Sequence, residues 1–180
     1  TLAGTSAVYL DVRNGRVLRS VDGLPANPYI VALTATGRAY VSSPHSSQVT
    51  EIDVAAGRIS RIFDIPDDPA GIAVAADGKE LYAAVWRQSV AGGIAVFDLD
   101  KGIVTAKLPA TQPRRITVTA DGRLVVVSDR DHLRIVDRVS REVRSVVLGQ
   151  NAGGSGVACS PDSARCYVAL SQAGEVVEVD

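Results

Sequence analysis

Residues 69–104, PAGIAVAADGKELYAAVWRQSVAGGIAVFDLDKGIV, spell out one structural unit in strand code. An alternating stretch, IAVA, is followed by Ala-Asp-Gly, a turn in which glycine supplies positive φ at little steric cost. A second apolar stretch, ELYAAV, comes next. After a variable segment a third, IAVFD, leads through a short Asp-led turn into a fourth. The apolar positions alternate and β-branched residues are frequent, as half-buried or buried strands require.

The same unit recurs on both sides. PYIVALTATGRAYVSSPHSSQVTEIDVAAGRI starts at Pro28, PRRITVTADGRLVVVSDRDHLRIVDRVSREV at Pro113, and SGVACSPDSARCYVALSQAGEVVEVD runs from Ser155 to Asp180. The Asp that closes the third strand recurs at Asp11, Asp53, Asp98, Asp137 and Asp180, at spacings of 42, 45, 39 and 43 residues. The turn glycine recurs as Gly37, Gly78 and Gly122, with Ser163 in the last copy. A period near 40 residues made of strands predicts an all-β fold, a β-propeller of four-stranded antiparallel blades. The register places the end of one blade in 1–27, full blades in 28–68, 69–112 and 113–154, and the start of another in 155–180. That makes 17 strands, one more than a closed ring of four such blades holds. The expectation is a partial ring of about four blades, completed by further blades of the same or another chain, because open arrays leave unpaired edges.

The chain has 180 residues, 46% hydrophobic and 22% charged, with a net charge of −1. This even balance lacks the basic excess of a nucleic-acid binder, so no nucleic-acid partner is expected. No apolar run approaches the ~20 residues needed to span a bilayer, so no membrane span is expected in this segment. The opening TLAGTSAVYLDV has no basic, then apolar, leader pattern, and Met is absent throughout, so the numbering is expected to begin inside a longer polypeptide.

The segments GIAVAADGKELYAAV with IAVFDLDKGIV, GVACSPDSARCYVAL, and GRAYVSS with VTEIDVAAGRI resemble the YVTN-type repeat. The resemblance covers nearly the whole chain. It implies seven-bladed propellers, commonly found in secreted or surface proteins of bacteria and archaea. Two copies depart from the pattern: LVVVS lacks the aromatic of the second strand, and Ser163 stands for the turn glycine. There is no Trp-Asp dipeptide of the WD40 kind.

By analogy with that family, the first strand of each blade is innermost, and the loops after strands two and four share the binding face. Those loops hold the chemistry-bearing residues. Arg114 and Arg115 enter an inner strand near the channel mouth and could grip a carboxylate or phosphate through their planar forks; a salt bridge to Asp67 or Asp68 is the alternative. Trp86, with Arg87, opens the longest second-to-third loop and could anchor a partner, or else pack between blades. His45 and His132 lie in loops of the same class; without neighbouring ligands they make no metal site and read equally as solvated loop residues. Arg130 sits with Asp129 and Asp131 in a charged cluster that a solvated turn explains. The repeated Asp53, Asp98 and Asp137 are turn caps rather than catalytic carboxylates.

Cys159 and Cys166 flank the turn SPDSAR and face each other if this hairpin pairs as its siblings do, replacing Val74 and Leu81 of the second copy. Cross-strand neighbours are within disulfide reach, although two buried thiols would also fit. A disulfide points to an oxidising, extracytoplasmic compartment. No motif for haem attachment, dinucleotide or phosphate binding occurs, and no cofactor is expected. The leading function is therefore an extracytoplasmic binding module for a protein or small-molecule partner, without catalysis of its own. The alternatives are a lactonase- or lyase-like propeller enzyme with its site at the channel mouth, and a redox propeller domain.

Overall fold

The computed structural model describes residues 5–87 and 90–180, without the side chains at 87, 90 and 91. Among the described residues 17 strands form five antiparallel sheets. The first sheet pairs β1 (Ser6–Leu10) with β2 (Val17–Asp22). The second runs β3 (Val31–Leu33), β4 (Arg38–Ser43), β5 (Gln48–Asp53), β6 (Arg58–Asp64). The third runs β7 (Pro69–Val74), β8 (Glu80–Arg87), β9 (Val90–Asp98), β10 (Ile103–Pro109). The fourth runs β11 (Pro113–Val118), β12 (Leu124–Asp129), β13 (His132–Asp137), β14 (Val143–Val147), and the fifth β15 (Gly154–Cys159), β16 (Cys166–Leu170), β17 (Glu175–Val179). Every sheet is an up-and-down meander, the blade of a propeller, and the two-stranded and three-stranded sheets remain separate.

The inner hairpins turn as the repeat requires. Gly37, Gly78 and Gly122 all have φ between 69° and 79°, and each donates its N–H back across the turn. Ser163 adopts the same left-handed conformation at φ 61°. Its hydroxyl accepts the N–H of Asp121 at 3.0 Å, tying its turn to that of the preceding blade. The third-strand aspartates cap the outer turns: Asp53 accepts the N–H of Ala56, Asp98 those of Asp100 and Lys101, and Asp137 those of Val139 and Ser140, all at 2.9–3.0 Å.

The blades are held by packing between sheets. Tyr40, Val49 and Phe63 pack against Ile72, Leu81 and Phe97 of the next blade, with the two phenylalanine rings edge-on at 4.9 Å. Tyr82 and Val96 meet Ile116, Val125 and Val136 in the same way one blade on. Central strands are covered on both faces, which explains why stretches such as LYAAV carry almost no polar residues. The tyrosine hydroxyls reach the outer rim of these seams. The Tyr82 hydroxyl donates to Glu80 at 2.6 Å and accepts from Arg141 at 2.7 Å and Arg138 at 3.2 Å, and both arginines belong to the next blade. Tyr40 pairs likewise with Glu51, itself bound by Arg61, whose other nitrogen reaches the carbonyl of Leu99. Burial, and then the Glu51 charge, push the Tyr40 phenol up to about 12.

Candidate functional site

The start of three of the four inner strands carries an irregularity. Pairing with the second strand slips between Pro69 and Gly71, between Pro113 and Arg115, and between Gly154 and Gly156. One residue per blade is therefore bulged out: Ala70, Arg114 and Ser155. In the second sheet the residue at this position is Tyr29. Its N–H donates to the carbonyl of Ser42, while the next N–H, of Ile30, donates to the Ser42 hydroxyl. Arg115 repeats the latter bond to the Ser128 hydroxyl at 3.1 Å. A bulge re-aims a side chain that the pleat would otherwise stack on a sheet face.

All four of these residues line one cleft of about 660 Å³, together with Pro28, Pro44, His45, Asp68, Trp86, Pro113 and Arg115. The loops after second and fourth strands meet here, on the same end of the blades. Trp86 also stands at a bulge, where the pairing of β8 with β9 slips between Val85 and Arg87. The Arg114 guanidinium lies 5.9 Å from the centre of the Trp86 ring. The Arg115 guanidinium lies 4.7 Å from the centre of the Tyr29 ring and donates to the Tyr29 hydroxyl at 3.0 Å. The Arg115–Tyr29 contact joins residues 86 apart in sequence, in two different blades.

Among the described residues neither Arg114 nor Arg115 forms a salt bridge. Asp67 instead binds Lys107 at 2.7 Å, and Asp68 accepts the Ser47 hydroxyl at 3.1 Å.

The structure does not bring all of the candidate residues together. Tyr29, His45, Trp86, Arg114 and Arg115 share the cleft, whereas Arg130 and His132 do not line it. Arg130 has φ 48°, and its carbonyl accepts the N–H of Gly154 at 2.7 Å, a main-chain role at the entrance to β15. His132 begins β13 opposite Asp129. The side chain of Arg87 lies outside the described residues. The expected long loop after Trp86 is shorter than the sequence suggested: β8 continues to Arg87 and β9 starts at Val90.

The expectation of a solvated turn at 129–131 is corrected for Asp129, whereas the Arg130 side chain is half exposed. The Asp129 side chain is fully buried, accepts the N–H groups of Thr111 and Gln112, and takes the Arg134 guanidinium at 2.7 Å. Asp131 accepts the N–H of Ala152 at 3.1 Å. The two carboxylates thus pin the loops on either side of their blade. Tyr29 was missed by sequence reading, although a signal existed: aligned on their prolines, the first three copies place Tyr29, Ala70 and Arg114 in one column.

Cys159 and Cys166 are directly paired across the hairpin, as Val74 and Leu81 are in the third sheet, and form a disulfide. Among the described residues no three His, Cys, Asp or Glu side chains are placed to hold a metal ion, and no helix is long and apolar enough to cross a membrane.

No protein-family model matches the chain. The uncharacterized protein YncE of Salmonella typhi, and that of Salmonella typhimurium, are each 33% identical to it over 85 residues. The match takes in 47% of this chain and 24% of each relative, so the chain spans a fraction of their length. Among solved structures, hydrazine synthase of Kuenenia stuttgartiensis superposes with a TM-score of 0.59 at 16% identity, over 99% of this chain and 71% of that one. At that identity the likeness concerns the fold: a β-propeller.

Proposed function

We propose that this chain is part of an extracytoplasmic binding propeller that receives its partner in the cleft between the inner strands, with no catalysis of its own. The observation that carries this reading is the convergence of the residues at one equivalent position of four blades, Tyr29 and the bulged Ala70, Arg114 and Ser155, on a single concavity. Repeats that differ at one equivalent position while the scaffold stays constant suit recognition. The cleft falls within the range of ~300–1,000 Å³ typical of small-molecule sites. Its walls combine proline and aromatic surface with a few convergent polar groups.

The disulfide and the partial likeness to YncE support an oxidising compartment. The repeat pattern resembling the YVTN type supports a ring larger than these blades, with the remaining blades as structural partners. The lactonase-like and redox readings have no comparable observation behind them.

The test is an NMR fragment screen of the 18.8 kDa chain, read on backbone amides and on the indole N–H of its one tryptophan. Shifts that cluster at Tyr29, Ala70, Trp86, Arg114 and Ser155 for several hits would support a binding cleft. Hits that cluster elsewhere, or none at all, would overturn it.

A further inference from the structure

Resting on that reading, we infer that the cleft recognises a small oxyanion, a carboxylate or phosphate attached to a flat apolar body. Two arginines stand side by side at the entrance of one inner strand, and neither is spent on a described carboxylate. Each is steadied against an aromatic ring: Arg115 over Tyr29 at 4.7 Å with a bond to its hydroxyl, and Arg114 beside Trp86 at 5.9 Å. Stacking of this kind fixes the guanidinium plane and leaves its in-plane N–H groups for a ligand. Less rotamer freedom is then lost when an oxyanion is bound.

The rest of the lining determines the body. Pro28, Pro44, Pro113 and Ala70 offer no hydrogen-bond donors from their side chains and give the lining apolar surface beside the polar Asn27, His45, Asp68 and Ser155. The Trp86 and Tyr29 rings provide faces for a planar group. Tyr29 is 55% exposed and lines the cleft, so its ring is accessible to a ligand. Asp68, on the same cleft, accepts the Ser47 hydroxyl at 3.1 Å. The overall charge of −1 makes this a local positive site on a near-neutral molecule, selective for one anionic group rather than for a polyanion.

The test uses four probes, measured by calorimetry and by the Trp86 indole resonance: 2-naphthoate, 2-naphthyl phosphate, neutral naphthalene-2-carboxamide, and inorganic phosphate alone. At least one naphthyl anion should bind saturably and shift the Trp86 signal. The carboxamide should bind about tenfold more weakly or worse, since it loses the charge-assisted bonds. Whether naphthoate or naphthyl phosphate binds tighter identifies the oxyanion. Arg114→Gln and Arg115→Gln should each lower the affinity for the better probe about tenfold, with the melting temperature lowered by at most a few degrees, and should leave the carboxamide far less affected.

Equal binding of carboxamide and naphthoate would overturn the oxyanion while leaving a binding cleft intact. Inorganic phosphate binding as tightly as the naphthyl anions would overturn the flat body. Silence from all four probes would overturn the inference alone if the fragment screen still maps to the cleft, and would take the binding reading with it if the screen maps nowhere.

Discussion

Gly71 lies so close to the main chain of Arg114 that a Cβ built on it would come within 2.3 Å of the Arg114 carbonyl oxygen and 3.1 Å of the Arg115 Cα. The inner strands of two neighbouring blades touch at this point, and the approach places both arginines at the cleft. Glycine is required here for space rather than for a positive φ, since its backbone is in an ordinary region. At the equivalent position of the last blade, a Cβ on Gly156 would meet only the Ala169 Cβ at 3.5 Å.

Gly71→Ala should therefore cost about 1–3 kcal/mol as the strands are forced apart, and should alter the environment of Trp86. Gly156→Ala should be close to neutral. Urea denaturation of both variants checks this, and equal stabilities would refute the role assigned to Gly71.

Asp129 should be the most stabilising carboxylate of the loop face. Asp129→Ala removes the acceptor of two main-chain N–H groups and abandons Arg134, whose own side chain is 19% exposed. Breaking a buried pair of this kind typically costs about 3–5 kcal/mol. Chemical denaturation at neutral pH measures it, and a loss below about 1 kcal/mol would return Asp129 to the status of a solvated turn residue.

The repeated turn aspartates should make the fold acid-sensitive. Main-chain N–H groups hold Asp53 and Asp137 below the ordinary carboxylate value, and Lys101 does the same for Asp98. A depressed folded-state value means that the stabilisation is present above the unfolded-state pKa and is lost as pH falls through the folded one. Melting temperature should decline below about pH 4. Asp137→Asn, which keeps an acceptor but not the charge, should lie below the parent at pH 7 and approach it at pH 3. A constant gap across that range would exclude the linkage.

Reduction of Cys159–Cys166 should lower stability only moderately. The bridge spans a sequence separation of 7 within an already paired hairpin. The chain-entropy relation for so short a loop gives at most about 2.5 kcal/mol. Intact mass without reductant should be lower by two hydrogens than after reduction, and thermal melts of the two forms should differ by a few degrees. A reduced form that fails to fold would show that the bridge does more than restrain a local turn.

The repeat made the architecture legible. Turn residues and strand alternation are local: Asp-Gly at 77–78 and 121–122, and the evenly spaced Asp53, Asp98 and Asp137, act through bonds to residues two or three positions away. Such features can be read along the chain because the chain itself brings their partners together. The paired cysteines belong to the same class, being fixed by hairpin register.

The cleft was only half legible. Arg114, Arg115, Trp86 and His45 were singled out by type and loop class, whereas Tyr29 and Ser155 were not, and Arg130 and His132, of the same loop class, do not line it. Residue type and loop class do not record which way a bulge turns a side chain.

The sequence by itself determined the strands, their turns and the blade repeat, and it put Cys159 opposite Cys166 with a disulfide or two buried thiols both open, since each depends on pairing between chain neighbours. Only the tertiary structure decided that Tyr29 meets Arg115 across 86 residues, that Asp129 is buried rather than solvated, and that Gly71 must lack a side chain. Those outcomes depend on how closely one blade approaches the next, a distance set by the packing of whole sheets and written in no single repeat.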